Sequence, residues 1–227
     1  MSLKKLVVAL FAVLALSAVV ANSAMAAATE TNGFWYKGAT KLENGTAKGL
    51  AVTCSQVGEA TLTTTVGTNE TPLKLKATST TCPSAKIYNE SSKAKATGSI
   101  KFAGVTVVEP AGCKVVGGAV ETEPLAGQVW MEGTKAMFKF APATGTIFAE
   151  PEIEGCSIAG AYPTTGTVFG ESVNATNVGS TEQNLKFSKT INSTAGGALT
   201  FGKKPASIEG QLKVVLTGGG EYKANES

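Results

Sequence analysis

Four cysteines, one run of glutamates and a few aromatic side chains are the groups in this 227-residue chain that could do chemistry. Cys54, Cys82, Cys113 and Cys156 could serve as nucleophiles, as metal thiolates or as disulfides. No two of them stand in a Cys-x-x-Cys spacing, and an even count behind an export signal points to two disulfides in an oxidising compartment. Four cysteines allow three pairings. Cys54 with Cys82 and Cys113 with Cys156 is favoured, because sequence neighbours usually lie side by side in a β-meander.

Glu150, Glu152 and Glu154 stand at i, i+2 and i+4, which puts them on one face of a strand. Such a face could bind calcium through clustered oxygens or supply half of a glycosidase carboxylate pair. The competing expectation is a solvated edge strand, where charge and Pro151 block further pairing. Glu121 and Glu123, followed by Pro124, repeat the theme and favour the edge reading. Phe34, Trp35 and Tyr36 form the densest aromatic spot. With Trp130 and Tyr162 they could stack on sugar rings or dock a partner, and the plainer expectation is that Trp35 plugs one end of a core.

The missing residue types narrow the chemistry further. All 20 basic residues are Lys, all 17 acidic residues are Glu, and the chain has no His, Asp or Arg. Without His there is no Ser-His or Cys-His nucleophile pair. The usual zinc and non-haem iron ligand sets cannot be built, nor can the EF-hand loop. The expectation is no catalytic site, no metal and no cofactor. Gly197–Lys204 nearly fits a phosphate loop. It ends in Lys where the motif needs Ser or Thr, and Pro205 follows where a helix should start.

The elements that must position these groups are strands. Met1–Lys5 is a basic start, Leu6–Val20 an apolar run and Ala24-Met25-Ala26 a small-residue site. Residues 1–26 therefore read as a signal peptide removed on export. Without Lys4 and Lys5, 18 Lys remain of 20, against 17 Glu. That balance argues against nucleic acid, whose binding needs a basic excess. Residues 27–49 read as a polar lead-in and 50–227 as an all-β domain. Leu73-Lys74-Leu75-Lys76-Ala77 alternates strictly, with leucines inward and lysines in water. Gly127–Met131 and Ala136–Phe140 read as a hairpin around Glu132-Gly133-Thr134, Asn89–Gly98 as a polar loop and Glu171–Asn184 as a long surface loop. Asn-x-(Ser/Thr) triplets at Asn44, Asn69, Asn89, Asn174, Asn192 and Asn225 read as surface turns.

One unit recurs. Residues 97–130 and 144–170 each open on Thr-Gly-(Ser/Thr)-Ile, reach Glu-Pro, arrive at Gly-Cys and end in a Gly-rich strand. Cys113 and Cys156 fall at equivalent points. Short strands, frequent Gly turns and no amphipathic helix predict an antiparallel sandwich or barrel, built around this Cys-containing unit behind a cleaved signal helix.

The signal peptide, the Gly-Cys strand ends, Glu123-Pro-Leu-Ala-Gly127 and the closing stretch Gly210–Leu216 resemble a loose group of uncharacterised secreted bacterial β-rich disulfide proteins. That resemblance implies an exported protein and no particular activity. The spacing of Cys54 and Cys82 is more loosely similar to pilus and adhesin subunits. The functional expectation is a secreted or cell-surface structural or interaction protein, with a cell-surface protein or polysaccharide as partner and no membrane contact after signal cleavage. A carbohydrate-binding module and a Glu-dependent glycosidase are the other two expectations.

Overall fold

The computed structural model describes residues 30–133, 135–174 and 179–226. The expected signal peptide lies outside them. Two strands organise the rest: Leu50–Val66 and Lys204–Leu216, of 17 and 13 residues. They pair antiparallel from Ala206↔Thr64 to Leu216↔Val52, with one register shift between Glu209 and Gln211. Thr and Val dominate the first of them, and both fit a pleated, half-buried surface.

One half of this pair belongs to a closed ring of eight antiparallel strands. From Leu50–Val66 the ring runs through Lys86–Glu90, Lys93–Gly98, Leu125–Glu132, Lys135–Pro142, Val168–Ser172 and Glu182–Phe187, and closes on Lys204–Leu216. Each strand pairs with the next one in the ring. Closure leaves no edge of this ring to be blunted.

The connections at one end of the ring are long, and they build a second, smaller ring on the other half of the two long strands. Thr71–Ala77 pairs with Ala60–Val66. Thr106–Glu109 pairs with Thr71–Ala77, then Lys114–Val115 with Thr106 and Glu152–Glu154 with Lys114–Val115. The irregular hairpin of 147–154 with 160–165 follows, then Thr200–Phe201, which returns to Lys204 and Pro205. Residues 97–130 and 144–170 are both such excursions: 97–130 leaves and rejoins the larger ring on one side, 144–170 on another. The expected choice between sandwich and barrel resolves to a barrel with a second ring sharing its two longest strands.

Each ring has its own core. Trp35, Val129, Met131, Phe138 and Leu185 are buried in the larger one. Val66, Leu73, Leu75, Ile153 and Phe201 are buried in the smaller one. Leu73, Leu75 and Ala77 point inward as their alternation predicts. Both disulfides form in the favoured pairing, with Cα atoms 5.3 Å apart for Cys54–Cys82 and 5.0 Å for Cys113–Cys156.

Four sequence expectations need correction. Within the expected lead-in 27–49, the described residues 30–49 are not separate, because Phe34–Lys37 pairs with Tyr222–Asn225 and carries Trp35 into the core. Asn89–Gly98 is not a loop: Lys86–Glu90 and Lys93–Gly98 form a hairpin on a Ser91-Ser92 turn. Glu171–Asn184 is not all loop, since strands cover Glu171, Ser172 and Glu182–Asn184. A short helix, Lys189–Thr194, stands where only strands were expected. The Ser188 hydroxyl caps it by accepting from the Ile191 amide at 3.2 Å.

Candidate functional site

The acidic run sits on the smaller ring. Pro151 and Ile153 are buried, while Glu150, Glu152 and Glu154 face solvent. This is not an edge strand, since Glu152–Glu154 pairs with Lys114–Val115 on one side and Gly160–Ala161 on the other. Glu154 lies directly across from Lys114. The Pro151 carbonyl accepts from the Tyr162 amide at 3.0 Å, so proline breaks the ladder only on its own nitrogen side. Among the described residues, no three His, Cys, Asp or Glu side chains converge as a metal site would require.

Elsewhere among the described residues, Lys–Glu pairs lie at the surface. Lys76 donates to Glu59, and the Lys204 ammonium donates to Glu70 at 2.8 Å. These hydrogen bonds, with the lysine charges behind them, hold both carboxyls below the ordinary carboxylate range. Exposed pairs of this kind shape the surface and add little to stability.

Most of the aromatic faces proposed for stacking are occupied. Trp35 is 3% exposed, packs against Phe138 and Tyr222 with ring centroids 6.0 Å away in each case, and donates its indole N–H to the Lys95 carbonyl at 2.9 Å. It is the core plug. Phe34 is buried with the Lys41 ammonium 3.1 Å from its ring centroid. Trp130 packs edge-on to Phe169 in a small separate cluster with Met137. Tyr162 stacks on Phe201 and donates its hydroxyl to the Ile158 carbonyl at 2.6 Å. Tyr36 alone of the five is half-exposed without a stacked aromatic neighbour, and Lys223 approaches its ring. The five do not form one surface.

The feature that sequence reasoning missed is inside. Eight-stranded barrels are just wide enough for side chains to fill them or for one small ligand. Here the fill is incomplete. A cavity of about 80 Å³ lies in the larger ring, one of about 70 Å³ in the smaller, and one of about 30 Å³ between them. The middle space shares Ile100, Phe140 and Leu212 with the first and Phe148, Val168 and Ile208 with the second. Small residues keep this space open. Ala85, Ala96, Gly98 and Gly127 line the first cavity, and Ala60, Ala77 and Ala149 the second. A Cβ on Gly127 would come within 2.9 Å of the Ala96 Cβ and 3.1 Å of the Phe140 ring.

The two buried polar side chains on the first cavity, Gln183 and Tyr222, each have hydrogen-bond partners. The Gln183 side chain accepts from the Ser172 hydroxyl at 3.0 Å and donates to the Tyr222 carbonyl at 3.2 Å. The Tyr222 hydroxyl donates to the Val214 carbonyl at 2.7 Å, and burial pushes its pKa well above the ordinary tyrosine value. Lys86 is the one charged residue on the lining, and it is exposed beside its cross-strand partner Thr97 on the outer face of the ring. A signal was present in Ala94-Lys-Ala96-Thr-Gly98. Its strict alternation puts only small residues inward, a strand that declines to fill its barrel. No protein-family model, no curated protein and no solved structure matches the chain.

Proposed function

We propose that this chain is an exported, non-catalytic structural or interaction protein that works outside the cell or in its envelope, with a surface protein or polysaccharide as partner. The observation that carries this reading is the way the two disulfides are placed. Cys54–Cys82 ties the connection between Leu50–Val66 and Lys86–Glu90 to a shared long strand, and Cys113–Cys156 ties the 97–130 excursion to the 144–170 excursion. A body of two closed rings fastened at these points suits a rigid spacer in an oxidising compartment. No described helix is long and apolar enough to cross a membrane. A structural or protein-partner role is preferred over a carbohydrate module, because Trp35 and Trp130 are already packed against other aromatics.

The test is a turnover panel of glycosidase and peptidase substrates on oxidised protein, alongside pull-down by purified envelope polysaccharides and surface proteins. The expected result is capture by one envelope fraction, with turnover no different from that of the Glu150→Gln, Glu152→Gln and Glu154→Gln variants. Turnover that disappears in one of those folded variants overturns the reading.

A further inference from the structure

Outside the two rings, Phe34–Lys37 is the central strand of a three-stranded sheet, with Thr40–Lys41 on one side and Tyr222–Asn225 on the other. Side chains alternate across such a sheet. Trp35 and Ala224 are buried on its inward face. By the same register, Phe34, Tyr36, Lys41 and Lys223 fall on the outward face. Tyr36 is paired with Lys41 on one strand and Lys223 on the other, so its half-exposed ring has a lysine on each side. The Lys223 ammonium is 5.9 Å from the centroid of that ring. The Lys41 ammonium sits 3.1 Å from the centroid of Phe34. A cation on an aromatic face is held in place, and a held side chain loses less freedom when it binds.

Beside Lys41 the surface is concave. Lys37, Thr40, Lys41, Glu43 and Lys48, all exposed, line an open groove of about 350 Å³. Glu43 is the one carboxylate on this lining, and the Lys48 ammonium stands 3.4 Å from it. Three ammoniums against one carboxylate make the groove cationic, in a chain whose Lys and Glu otherwise nearly balance. The groove calls for negative charge, and the Tyr36 ring calls for the C–H face of another ring. A sugar acid has both. A neutral glycan has the ring without the charge, and a polyol phosphate has the charge without the ring.

We infer that this face binds an acidic polysaccharide, with one uronic acid ring stacked on Tyr36 and neighbouring carboxylates held by Lys41, Lys37 and Lys48. This rests on the polysaccharide partner proposed above and names its chemistry. Lysine ammoniums are compact point charges on flexible stems, which suits separate carboxylates spaced along a chain. The contacts lie in water, so salt screens them.

The oxidised exported chain is titrated with a galacturonic acid oligomer by calorimetry and by amide NMR. Saturable binding that weakens with salt is expected, with shifts centred on 34–48 and 222–225. No binding by folded protein overturns the inference, and so does equal binding of the neutral galactose oligomer. Lys41→Gln is expected to weaken binding about tenfold, the scale of a hydrogen bond to a charged group. Tyr36→Ala is expected to weaken it about fivefold, the scale of an aromatic contact. Circular dichroism checks the fold of each. Should Lys41→Gln not fold, Lys37→Gln reads the groove in its place, and unchanged affinity there overturns the inference. Lys186→Gln removes an exposed lysine of the larger ring and is expected to bind as wild type does. A loss equal to that of Lys41→Gln would mean diffuse charge attraction and overturns the site. A sulfated galactan that competes as well as the galacturonate overturns the choice of carboxylate. Failure of the inference alongside specific capture by an envelope surface protein leaves the interaction role standing without the acidic polysaccharide.

Discussion

The two rings share two strands and differ in how they hold themselves together. In the larger ring, Leu125–Glu132 and Lys135–Pro142 stay in register over all eight pairs, from Leu125↔Pro142 to Glu132↔Lys135. In the smaller ring, Thr106–Glu109 meets Lys114–Val115 at a single pair. Gly160–Ala161, Thr164–Thr165 and Thr200–Phe201 are each two residues long. A ladder this short fixes few backbone groups, so the smaller ring depends on packing and covalent closure. Its disulfide is built into its core, with Cys113 buried among Val115, Ile153 and Ile158. Six of the larger ring's eight seams carry four or more pairs, and most seams of the smaller ring carry one to three.

The largest effects come from emptying each core. Phe138 is 4% exposed in the larger ring and Phe201 is fully buried in the smaller. Phe138→Ala and Phe201→Ala should each cost about 3–5 kcal/mol. Urea unfolding followed by tryptophan fluorescence and by circular dichroism checks whether the rings are separable. Because Leu50–Val66 and Lys204–Leu216 run through both, a single coincident transition is expected for both variants. Two transitions in Phe201→Ala protein would show that the smaller ring melts by itself.

Removing the staples sharpens the same contrast. The loops they close span 28 and 43 residues, which in the loop-entropy model gives about 3.5–4 kcal/mol for each. The model hardly separates the two, and the architecture does. Cys113→Ser/Cys156→Ser should speed amide hydrogen exchange across 106–115 and 152–165 and leave the hairpin 125–142 protected. Uniform loss of protection would mean that the rings share their stability evenly.

A third effect concerns how the terminal strands are fixed to the larger ring. Asn89 is fully buried. Its side chain accepts from the Trp35 amide at 2.8 Å and donates to the Trp35 and Leu42 carbonyls at 3.1 and 2.8 Å. It is a clamp and not the surface turn its Asn-Glu-Ser triplet suggested. Asn192 does the same for Phe169, accepting from its amide at 2.8 Å and donating to its carbonyl at 3.0 Å. Asn89→Ala should cost about 2–3 kcal/mol, since it strands buried backbone groups. Thermal melting, with a red shift of Trp35 emission, is the readout.

These residues also show where the sequence was legible. Leu73 to Ala77 carries a strict period-two signal, and Gly127–Met131 with Ala136–Phe140 carries apolar runs about a Gly turn; both formed as expected. The cysteines paired in sequence order because the meander keeps consecutive excursions adjacent. The hairpin at Lys86–Gly98 was hidden for two reasons. Alanine and glycine carry little strand preference, and the turn uses Ser91 and Ser92 at φ of 47° and 62° where Asn-Gly is the usual signature. The strand at Glu152–Glu154 was misread as an edge because its neighbours, Lys114–Val115 and Gly160–Ala161, are too short to stand out. The cavities were the least legible feature, since an empty interior is a property of eight strands together.

The smallest effect at neutral pH separates two buried tyrosines of the larger ring. Tyr222 is 1% exposed and Tyr88 is 9% exposed. Burial raises both hydroxyls above their ordinary value, with Glu90 adding to the effect at Tyr88 and Glu182 at Tyr222. The unfolded chain gives up these protons near pH 10, while the native state keeps them. The associated stability is therefore fully present below about pH 10 and is lost as pH rises through the raised native values. Tyr222→Phe removes the hydrogen bond to the Val214 carbonyl and should cost about 1 kcal/mol at pH 7. It should also flatten the alkaline decline, because the group whose proton the fold retains is gone. Tyr88→Phe should flatten that decline less. Urea midpoints from pH 7 to 11.5 decide the matter. Equal slopes for wild type and Tyr222→Phe would mean that the alkaline limit is set by the lysines and not by this hydroxyl.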